Sequence, residues 1–366
     1  MRLTLVINDL GAGGTERVLT LLANCWARRG HAVTVLTHSR DDPFFPLAPA
    51  VQHRRIGGVS ASRTALSAIW ANGTRVKRLR RAILHSSPDL VIGFALSTNV
   101  RVLLALLGTG VPVVVCERTE PRHLNVGLAW AVLRRLLYPR AFALTCLTPN
   151  VASFFEPLLG GRIHVIPNPV LAPCVGGDAP CSLPPGRRLM AVGRLRAVKR
   201  FDLLVEVFAR ISSRHPDWHL LIVGDGPMRP QLESMVARLH LRDRVHLLGL
   251  VPDTSPFLLA SDMFVLTSSR EGFPNALCEA LACGLPAVTF DCPSGPGDIV
   301  RDGVDGLLVA DGDREGLASA LDRLMSDDLV RSRMAEQAPD VVRRFNLARV
   351  LSSWDEILSS VTKGGS

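Results

Sequence analysis

The sequence predicts an α/β protein built from two successive domains, each with a doubly wound parallel sheet. Apolar runs rich in Val, Ile and Leu alternate with amphipathic stretches along the chain, and one segment dense in Pro and Gly interrupts the series. Strands of this composition, separated by helices, are typical of parallel sheets covered on both faces. A chain of 366 residues is also long enough for two domains of ordinary size.

The first domain is predicted to span residues 1–167. A helical pattern covers Thr15–Arg29, and Gly30 is expected to end it. The predicted strands of this domain are Arg2–Asn8, His31–Thr37, Leu90–Gly93, Pro112–Cys116, Phe142–Leu147 and Ile163–Ile166.

A linker is predicted at residues 168–186, where prolines and glycines recur between the two series. The second domain then spans residues 187–344. A final segment, 345–366, has a helical pattern at Leu347–Val361 and is expected to pack back on the first domain. Because ligands of such sheets bind beyond the carboxyl ends of the strands, a substrate is expected in a cleft between the domains. The predicted strands of the second domain are Arg188–Val192, His219–Val223, Val245–Leu248, Met263–Thr267, Ala287–Phe290 and Leu307–Val309.

The composition is that of a globular protein, with 47% hydrophobic and 20% charged residues. No segment has the pattern of a signal peptide or a membrane span. The eight cysteines form no C-x-x-C pair, and the ten histidines do not supply closely paired metal ligands. We therefore expect buried, reduced thiols, no metal site and a cytoplasmic protein.

The positive charge is concentrated in the first domain. The whole chain has a net charge of +9, whereas residues 1–167 carry +12 and residues 168–366 carry −3. Such a one-sided distribution favours an anionic partner. Nucleic acid is not expected, because aromatic residues make up 5% of the chain and no nucleic-acid-binding module is recognisable. An anionic membrane surface fits the distribution better.

Two segments of the first domain have the composition of helices that lie on a membrane surface. Residues 70–84 place five cations between apolar positions, and residues 128–138 are apolar with Arg134 and Arg135 on one side. For the first segment, a membrane-surface helix and a domain helix with a solvated basic face are equally supported. For the second, a domain helix with a solvated arginine face is favoured.

The strongest local signal lies between Glu271 and Glu279. Seven residues separate the two glutamates, and Pro274 lies where a helix is expected to begin. The first free backbone N–H groups of that helix would point outwards, where they can hold an anion or a sugar oxygen. These N–H groups belong to Asn275, Ala276 and Leu277.

This run resembles the E-x7-E signature of the retaining family-4 glycosyltransferases, which have the GT-B fold of two Rossmann-like domains facing an interdomain cleft. The resemblance extends over nearly the whole chain, because several short motifs occur in the family's order and spacing. These motifs are Gly13-Gly14, Gly193-Arg-Leu195 with Lys199, Gly224-Asp-Gly-Pro227, Gly249-Leu-Val-Pro252, Cys292-Pro-Ser-Gly-Pro-Gly-Asp298 and Asp302-Gly-Val-Asp-Gly-Leu-Leu-Val309.

By this resemblance, the second domain binds a nucleotide-sugar donor. Arg194 and Lys199 would neutralise the donor diphosphate as the glycosyl–phosphate bond breaks, so no metal ion or other cofactor is expected. Glu279 would accept hydrogen bonds from the ribose hydroxyls, and Glu271 would contact the transferred sugar. Lys199 is also one of only three lysines among 42 basic residues, which independently favours a specific role.

The resemblance implies further donor contacts. Gly13 and Gly14 would let the backbone of a first-domain loop approach the diphosphate closely. Gly224 and Pro252 would lie at the nucleotide-base end. The other implied contacts are Gly272, Phe273, Pro274, Asn275, Ala276 and Leu277.

The chain departs from the family at the end of one first-domain strand. Many relatives have a histidine there, close to the acceptor and the donor sugar, whereas here the strand ends at Glu117 and Arg118. Members with such a Glu-Arg segment act on lipid-linked acceptors. The group that replaces the histidine stays open among Glu117, Arg118, Arg122 and His123, and an ordinary loop histidine is the favoured interpretation of His123.

The resemblance therefore implies transfer of a hexose or N-acetylhexosamine, with retention, from a UDP-sugar to a polyprenyl-diphosphate-linked saccharide or a polysaccharide. Such an enzyme is expected in the cytoplasm, peripheral to the inner face of the cytoplasmic membrane. Two alternatives remain. A GT-B nucleotide-sugar epimerase would consume donor without an acceptor, and a non-catalytic GT-B partner protein would have a damaged donor motif.

Overall fold

The computed structural model describes residues 1–39, 41–57, 65–122, 127–173 and 183–363. The chain forms two compact units. The first comprises Met1–Asn168 and Ala348–Ser366, and the second comprises Pro169–Leu347. Residues 174–182 of the predicted linker lie outside the described residues.

The first unit is built on a seven-stranded sheet in which all described pairs are parallel, with the order β3-β2-β1-β4-β5-β6-β7. The strands are β1 (Arg2–Ile7), β2 (Ala32–Thr37), β3 (Gln52–Arg55), β4 (Leu90–Phe94), β5 (Val113–Cys116), β6 (Ala143–Cys146) and β7 (Ile163–Val165). The helices between them are α1 (Gly14–Arg28), α2 (Ala65–His85), α3 (Leu96–Ala105), α4 (Leu128–Leu137) and α5 (Pro149–Leu159).

The second unit has a six-stranded parallel sheet with the order β10-β9-β8-β11-β12-β13. Its strands are β8 (Arg187–Val192), β9 (Trp218–Val223), β10 (Val245–Gly249), β11 (Met263–Leu266), β12 (Ala287–Asp291) and β13 (Gly306–Ala310). Its helices are α6 (Phe201–Ile211), α7 (Arg229–Arg238), α8 (Ser255–Leu259), α9 (Asn275–Ala282), α10 (Pro296–Ile299), α11 (Arg314–Ser326), α12 (Asp328–Gln337) and α13 (Asp340–Arg344).

The last helix, α14 (Leu347–Lys363), belongs to the first unit. Its Trp354 side chain is 1% exposed and meets the ring of Trp26 on α1 edge to face, with the ring centroids 5.4 Å apart. Arg29, after α1, donates to the Asp355 carboxylate over 2.9 Å. The core of the first unit is therefore completed by residues from the far end of the sequence.

The predicted α/β fold is confirmed, and each predicted strand lies within one residue of an observed one at both ends. The strands are apolar because helices cover the sheet, and all five residues of β4 are buried. Strand β3 was not predicted, since its sequence Gln-His-Arg-Arg has no apolar residue. It pairs with β2 and forms the edge of the sheet, where polar residues are tolerated.

Helix α4 confirms the prediction of a solvated arginine face only in part, because Arg135 is exposed but Arg134 is not. Arg134 is buried, with its guanidinium 4.8 Å from the ring centroid of Phe154 on α5, whereas Leu128, Val132 and Leu136 are 82%, 47% and 58% exposed. A cation that stacks on an aromatic ring can be buried at a lower cost in free energy, which the sequence pattern does not reveal. Among the described residues, no helix combines the length and the apolar character required to cross a membrane.

Candidate functional site

The candidate site of the second unit lies at the switch point of its sheet. Strands β8 and β11 are neighbours there, and the chain leaves them in opposite directions to continue on the two sides of the sheet. Ligands of doubly wound sheets bind beyond the carboxyl ends of the strands at this point. The segment Gly193–Lys199 follows β8, and Ser269–Pro274 follows β11. The three predicted catalytic residues, Arg194, Lys199 and Glu271, therefore lie on two adjacent loops.

The central contact of the site joins these two loops. Nζ of Lys199 donates to Oε1 of Glu271 over 2.5 Å, and the side chains are 22% and 12% exposed. Gly193 makes room for the lysine, because a Cβ atom there would lie 3.3 Å from Cε of Lys199. The structure thus brings together two predicted catalytic residues in a largely enclosed ion pair.

Hydrogen bonds to the backbone hold the two loops in register. The Thr267 hydroxyl donates to the carbonyl oxygen of Lys199 over 2.8 Å. The backbone N–H of Ser269 donates to the carbonyl oxygen of Val198 over 2.9 Å. Arg200, at the start of α6, has a φ of +51° and turns the chain into that helix. Lys199 is therefore presented by a loop whose position is fixed before any ligand binds.

Close backbone packing shapes the neighbouring edge of the site. Gly224 follows β9 with a φ of +139°, and a Cβ atom there would lie 1.9 Å from the carbonyl oxygen of Gly193. The backbone N–H of Gly224 donates to the carbonyl of Gly249 after β10 over 2.8 Å. Only glycine fits between these two backbones. The Gly224 motif therefore joins the ends of three neighbouring strands.

The Glu271–Pro274 loop is packed from the other side by Gly295. A Cβ atom on Gly295, whose φ is +99°, would lie 2.7 Å from Cδ of Pro274 and 3.6 Å from Cβ of Glu271. Phe273 is 7% exposed and meets the ring of Phe345 edge to face, with the centroids 5.2 Å apart. Gly272, Phe273 and Pro274 are all buried and shape the loop from within.

Helix α9 begins one residue later than predicted, with Pro274 in the capping position before it. Asn275 and Ala276 are half-buried at the helix start. The prediction of a free N–H at Leu277 was wrong, because that group donates to the carbonyl oxygen of Pro274 over 3.0 Å. The tight first turn takes up this donor, so Leu277, which is fully buried, offers no backbone N–H to a ligand.

The second glutamate of the motif, Glu279, lies on α9. Its Oε2 atom accepts a hydrogen bond from the hydroxyl of Thr254 over 3.2 Å, and the side chain is half-buried. Thr254 precedes α8, and Pro252 lies exposed in the same loop after β10. Glu279 is therefore held next to the loop that the resemblance assigned to the nucleotide.

Arg194 is exposed in the loop after β8 and forms no ion pair with any residue of the described ranges. It adds a positive charge to the side of the site that Lys199 occupies. The nearby thiols are not nucleophiles at neutral pH. Burial, and then the negative charge of Glu271, raise the pKa of Cys292 to about 12.

Gly13 and Gly14 lie in the first unit, at the start of α1 after β1. Gly13 has an extended backbone with φ of −127°, and its N–H donates to the carbonyl oxygen of Gly11 over 2.9 Å. Its backbone conformation is open to any residue, so any requirement for glycine here would come from lack of space for a side chain.

Glu117 lies inside the first unit and is 1% exposed. Its Oε1 atom accepts hydrogen bonds from the hydroxyl of Tyr138 and, over 3.4 Å, from the amide of Asn99. The same amide donates to the carbonyl oxygen of Cys116 over 3.1 Å. Burial raises the pKa of the Glu117 carboxyl, although these donors and Arg134 oppose the shift. These hydrogen bonds hold the carboxyl group in place just after the end of β5.

The other acceptor-side candidates are also engaged. Arg118 is 8% exposed, donates to Oδ1 of Asn168 over 2.9 Å and lies over the ring of Phe94. Arg122 donates from Nη1 to the Asn150 carbonyl oxygen over 3.0 Å and from Nη2 to the Ser153 hydroxyl over 3.0 Å. It therefore ties its loop to α5. His123 lies outside the described residues.

Three residues that support the site were not predicted: Thr254, Gly295 and Tyr138. The glycine belongs to a motif that the resemblance included, so its position could have been inferred. Thr254 and Tyr138 have no local sequence signal, because each acts through a partner more than 20 positions away. Within the described ranges, no group of three or more His, Cys, Asp or Glu side chains is placed to hold a metal ion.

Two family models match the chain, one in each unit. The model described as Glycosyltransferase Family 4 matches residues 12–171, and the model described as Glycosyl transferases group 1 matches residues 185–341. The two matches fall on the first and second sheets, respectively. The second includes every residue of the Lys199–Glu271 site.

Two relatives illustrate how far the similarity extends. The chain is 25% identical over 365 residues to the GalNAc-alpha-(1->4)-GalNAc-alpha-(1->3)-diNAcBac-PP-undecaprenol alpha-1,4-N-acetyl-D-galactosaminyltransferase of Campylobacter jejuni, and the match covers 99% of both chains. It is 32% identical over 287 residues to an exopolysaccharide phosphotransferase of Streptomyces coelicolor. That match covers 77% of this chain but only 30% of the length of the relative.

Among solved structures, HepE of Anabaena, in complex with UDP and glucose, has a similar fold. The TM-score is 0.77 at 20% identity, over 98% of this chain and all of the other. At this identity the likeness concerns the fold alone. Taken with the two family matches and the two parallel sheets, it identifies the chain as a glycosyltransferase of the GT-B fold, with a Glycosyltransferase Family 4 domain followed by a Glycosyl transferases group 1 domain.

Proposed function

We propose that this glycosyltransferase moves a hexose or N-acetylhexosamine from a UDP-sugar to a lipid-linked or polysaccharide acceptor, with retention of the anomeric configuration and without a metal ion or other cofactor. The observation that carries the proposal is the enclosed ion pair between Lys199 and Glu271 at the switch point of the second sheet. A cation paired with a carboxylate suits a nucleotide sugar, which has a negative diphosphate and a sugar with hydroxyl groups, and ligands of such sheets bind at this point.

The cationic side of this site suits the leaving diphosphate. Lys199 has three N–H donors, so it can contact Glu271 and a phosphate oxygen at the same time. Arg194 is exposed in the same loop and can add a second contact. Positive groups that are already in place stabilise the charge that develops as the glycosyl–phosphate bond breaks. These residues can supply the charge that a metal ion supplies in other transferases.

The carboxylates suit the neutral parts of the donor. Glu271 would accept a hydrogen bond from a sugar hydroxyl while it holds Lys199 in position. Glu279 would accept hydrogen bonds from the ribose hydroxyls and is oriented by Thr254. The loop with Gly224 and Pro252 would border the base. HepE, which shares the fold, was solved with UDP and glucose, and this supports the choice of nucleotide.

In the proposed reaction, the bond between the anomeric carbon and the phosphate oxygen breaks, and a bond from that carbon to the acceptor oxygen forms on the same face. The proton of the acceptor hydroxyl passes to the leaving phosphate. Lys199 stabilises the negative charge on that phosphate until the proton arrives. Glu271 is not required to form a covalent bond to the sugar.

The acceptor is inferred from relatives and from charge. The Campylobacter jejuni relative is named for an acceptor attached to undecaprenol through PP, and it matches the full length of this chain. The first unit contains the basic half of the sequence, with a net charge of +12 over residues 1–167. A negatively charged, lipid-linked saccharide fits this charge.

The first unit also carries a surface that suits an anionic membrane. Helix α3 packs against both α2 and α4, so the three lie side by side. Lys77, Arg78 and Arg81 are exposed on α2, and α4 exposes the apolar stripe Leu128, Val132 and Leu136. Basic residues attract anionic headgroups, and apolar side chains beside them can enter the interface. We therefore propose peripheral attachment at the cytoplasmic face of the membrane through these helices.

A substrate matrix tests the proposed function. UDP-, GDP- and ADP-sugars are incubated with polyprenyl-diphosphate-linked saccharides in the presence and absence of EDTA, and the products are identified by mass spectrometry and NMR. We expect a UDP-sugar to be transferred with its anomeric configuration retained, at the same rate with EDTA.

Other outcomes would contradict particular parts of the proposal. Isomerisation of the donor without an acceptor would indicate an epimerase, and an inverted product would exclude retention. Loss of activity in EDTA would exclude metal independence. Transfer by Lys199→Ala at the wild-type rate would show that the ion pair is not part of the site.

A further inference from the structure

A groove lies at the amino end of the sheet in the first unit. It has a volume of about 770 Å³ and is bordered by the starts of β5 and β6, the end of α3 and Ser360 on α14. This volume is within the usual range for small-molecule sites, about 300–1,000 Å³. Doubly wound sheets bind their substrates beyond the carboxyl ends of the strands, so the groove lies outside the substrate site that the fold predicts.

One wall of the groove is apolar. Leu103 on α3 and Leu106 just after that helix are buried, whereas Leu107 is 45% exposed. Val111 and Pro112, which lead into β5, are half-buried and continue the wall. Contact between apolar surface and water costs free energy, and a ligand with a hydrocarbon part would remove that contact.

Two exposed arginines also line the groove. Nη1 of Arg162 donates to the carbonyl oxygen of Ala141 over 2.7 Å, and Nη2 donates to the carbonyl oxygen of Pro139 over 3.1 Å. Its guanidinium group is thus held against the short turn after α4, and Arg140 ends that turn. Nη1 of Arg140 donates to the carbonyl oxygen of Leu136. A guanidinium group has five N–H donors, so both arginines keep donors for a ligand.

The charges that line the groove are positive. Arg140 and Arg162 form no ion pair within the ranges that the structure describes, and their recorded contacts are with backbone carbonyl groups. None of the described residues that line the groove is an Asp or Glu. On α14, Glu356 and Lys363 lie one turn before and one turn after Ser360, and their charges are opposite. The groove therefore combines cations with an apolar wall, which matches an amphipathic anion.

The groove is continuous with the exposed apolar stripe of α4. Leu136, which is 58% exposed, is the last member of that stripe, and its carbonyl oxygen accepts from Arg140 of the groove. Helices α3 and α4 pack together, and each leads from the carboxyl end of one strand to the amino end of the next. Their last residues therefore lie at the amino end of the sheet, as the groove does. A lipid that contacts the stripe would find the cations beside it.

We propose that the groove binds an anionic phospholipid, with an acyl chain against the leucines and the headgroup phosphate on Arg140 and Arg162. Phosphate oxygens accept strong, charge-assisted hydrogen bonds from guanidinium groups. A free phosphate would leave the apolar wall uncovered, and a lipid without net charge would leave the two cations without a counter-ion. The proposal deepens the proposed attachment to an anionic membrane and rests on it for the source of the lipid.

Calorimetric titration of the full chain with dihexanoyl phosphatidylglycerol tests the site. This short-chain lipid is used as dissolved monomers, so that binding does not require a membrane surface. We expect wild type to bind it, and Arg162→Gln and Leu107→Glu each to bind at least about tenfold more weakly. Two probes separate the parts of the ligand. Dihexanoyl phosphatidylcholine has the chains without a net charge, glycerol 3-phosphate has the phosphate without the chains, and each should bind wild type at least about tenfold more weakly.

Arg78→Gln is the matched control, because it removes an exposed arginine from α2 outside the groove. It should change the affinity for the dissolved lipid by less than about twofold. Since Arg162 also holds two backbone carbonyl groups, circular dichroism checks that Arg162→Gln folds. Arg140→Gln is the second variant, because its exposed side chain holds a single carbonyl group, and it should bind the lipid at least about tenfold more weakly as well.

Several results would overturn the proposal. Unchanged affinity in both arginine variants would show that these cations do not bind the lipid, and an equal loss in Arg78→Gln would indicate a diffuse basic surface. Equally tight binding of glycerol 3-phosphate would indicate a phosphate site without a place for a chain. A dimer of wild type that Leu107→Glu dissociates in size-exclusion chromatography would assign the groove to a second copy of the chain.

Sedimentation with vesicles of phosphatidylglycerol separates this proposal from the proposed membrane attachment. Binding to vesicles without binding of the dissolved lipid would refute the lipid site and leave the attachment in place. Binding of the dissolved lipid without binding to vesicles would support the site and refute the attachment.

Discussion

Lys199 and Glu271 form an ion pair of 2.5 Å between Nζ and Oε1, although they lie 72 positions apart in the sequence. Lys199 is the last residue of a single 3-10 turn, Ala197–Lys199, and Glu271 lies in the loop after β11. The pair is oriented by the two loops that meet between β8 and β11, and those loops are joined by backbone contacts. The charged groups of the proposed site are therefore positioned before the donor arrives.

Replacing Lys199 by alanine should lower kcat/KM by about 10² to 10³, the usual effect of losing one charge-stabilising donor. Lys199→Arg should not restore full activity, because a planar fork cannot occupy the space beside Gly193 in the same way. Steady-state kinetics with a UDP-sugar measure the effect. Lys363→Ala, which removes a lysine from the end of α14, should leave kcat/KM unchanged. Activity of Lys199→Ala within a few-fold of wild type would remove this lysine from the site.

Gly224→Ala should destabilise the second unit by at least about 2 kcal/mol more than Gly303→Ala. Both glycines have positive φ values, +139° and +73°, but a Cβ atom would lie 1.9 Å from a backbone oxygen at Gly224 and would meet no atom within 4 Å at Gly303. The difference combines the steric clash at Gly224 with its greater backbone strain, because a side chain tolerates a φ near +73° better than one of +139°. Urea unfolding measures it, and UDP affinity should fall only for Gly224→Ala. Equal losses of stability would mean that the three strand ends are not tightly packed.

The stability of wild type should fall more steeply with acidification than that of His38→Gln. The folded pKa of His38 is about 4 against 6.5 in the unfolded chain, so between these values only the unfolded chain binds the proton. Stability from this group is therefore present above the unfolded pKa and is lost as the pH falls. From near pH 8 to near pH 5 the extra loss should be about 2 kcal/mol. Parallel urea-unfolding curves for the two proteins at both pH values would contradict the prediction.

At Glu117 the wild type should lose stability relative to the variant Glu117→Gln as the pH rises, which is the reverse of the effect at His38. Burial raises the folded pKa of this carboxyl above its ordinary value of 4.5, so the folded state holds the proton more tightly than the unfolded chain does. As the pH rises above 4.5, the wild type therefore loses stability that the neutral glutamine retains. The free energy of unfolding of the variant, relative to wild type, should increase toward neutral pH. If the difference in free energy of unfolding between the two proteins did not vary with pH, the pKa of Glu117 would be unshifted by folding, as expected for a carboxyl group in contact with water.

Leu136→Glu should weaken binding to vesicles that contain phosphatidylglycerol by at least tenfold. The side chain is 58% exposed on α4, so the substitution introduces a negative charge without opening the core. Leu329→Glu is the matched control, because Leu329 is 71% exposed on α12 of the second unit. Co-sedimentation with vesicles measures the binding. A similar effect of both variants would indicate that net charge, and not the α4 surface, controls attachment.

The sequence was sufficient to predict the two sheets, because buried parallel strands require continuous apolar runs that are easily recognised. It was not sufficient for β3, which is polar, nor for the orientation of α4. In that helix Leu128, Val132 and Leu136 are exposed, while Arg134 lies against Phe154, a residue 20 positions later. Periodicity identifies the two faces of a helix, but only the packing partner determines which face is buried.

At the candidate site, too, some features could be predicted from the sequence and others depended on packing. The residues of the Glu271–Glu279 motif could be identified because they are contiguous, and Lys199 because lysine is rare in this chain. Their contacts could not be predicted. The hydrogen bond from the Leu277 N–H to Pro274, and the burial of Glu117 beneath Tyr138, depend on how the chain folds around them.

The contact between Trp26 and Trp354 has a consequence for synthesis of the chain. The first 168 residues leave the ribosome long before α14 does, and until then the ring of Trp26 lacks its partner from the C-terminal segment. The second unit, which is continuous in sequence, can complete its core earlier. The basic unit therefore reaches its final state last, and an enzyme interrupted before Trp354 would have a complete donor motif attached to an unfinished partner.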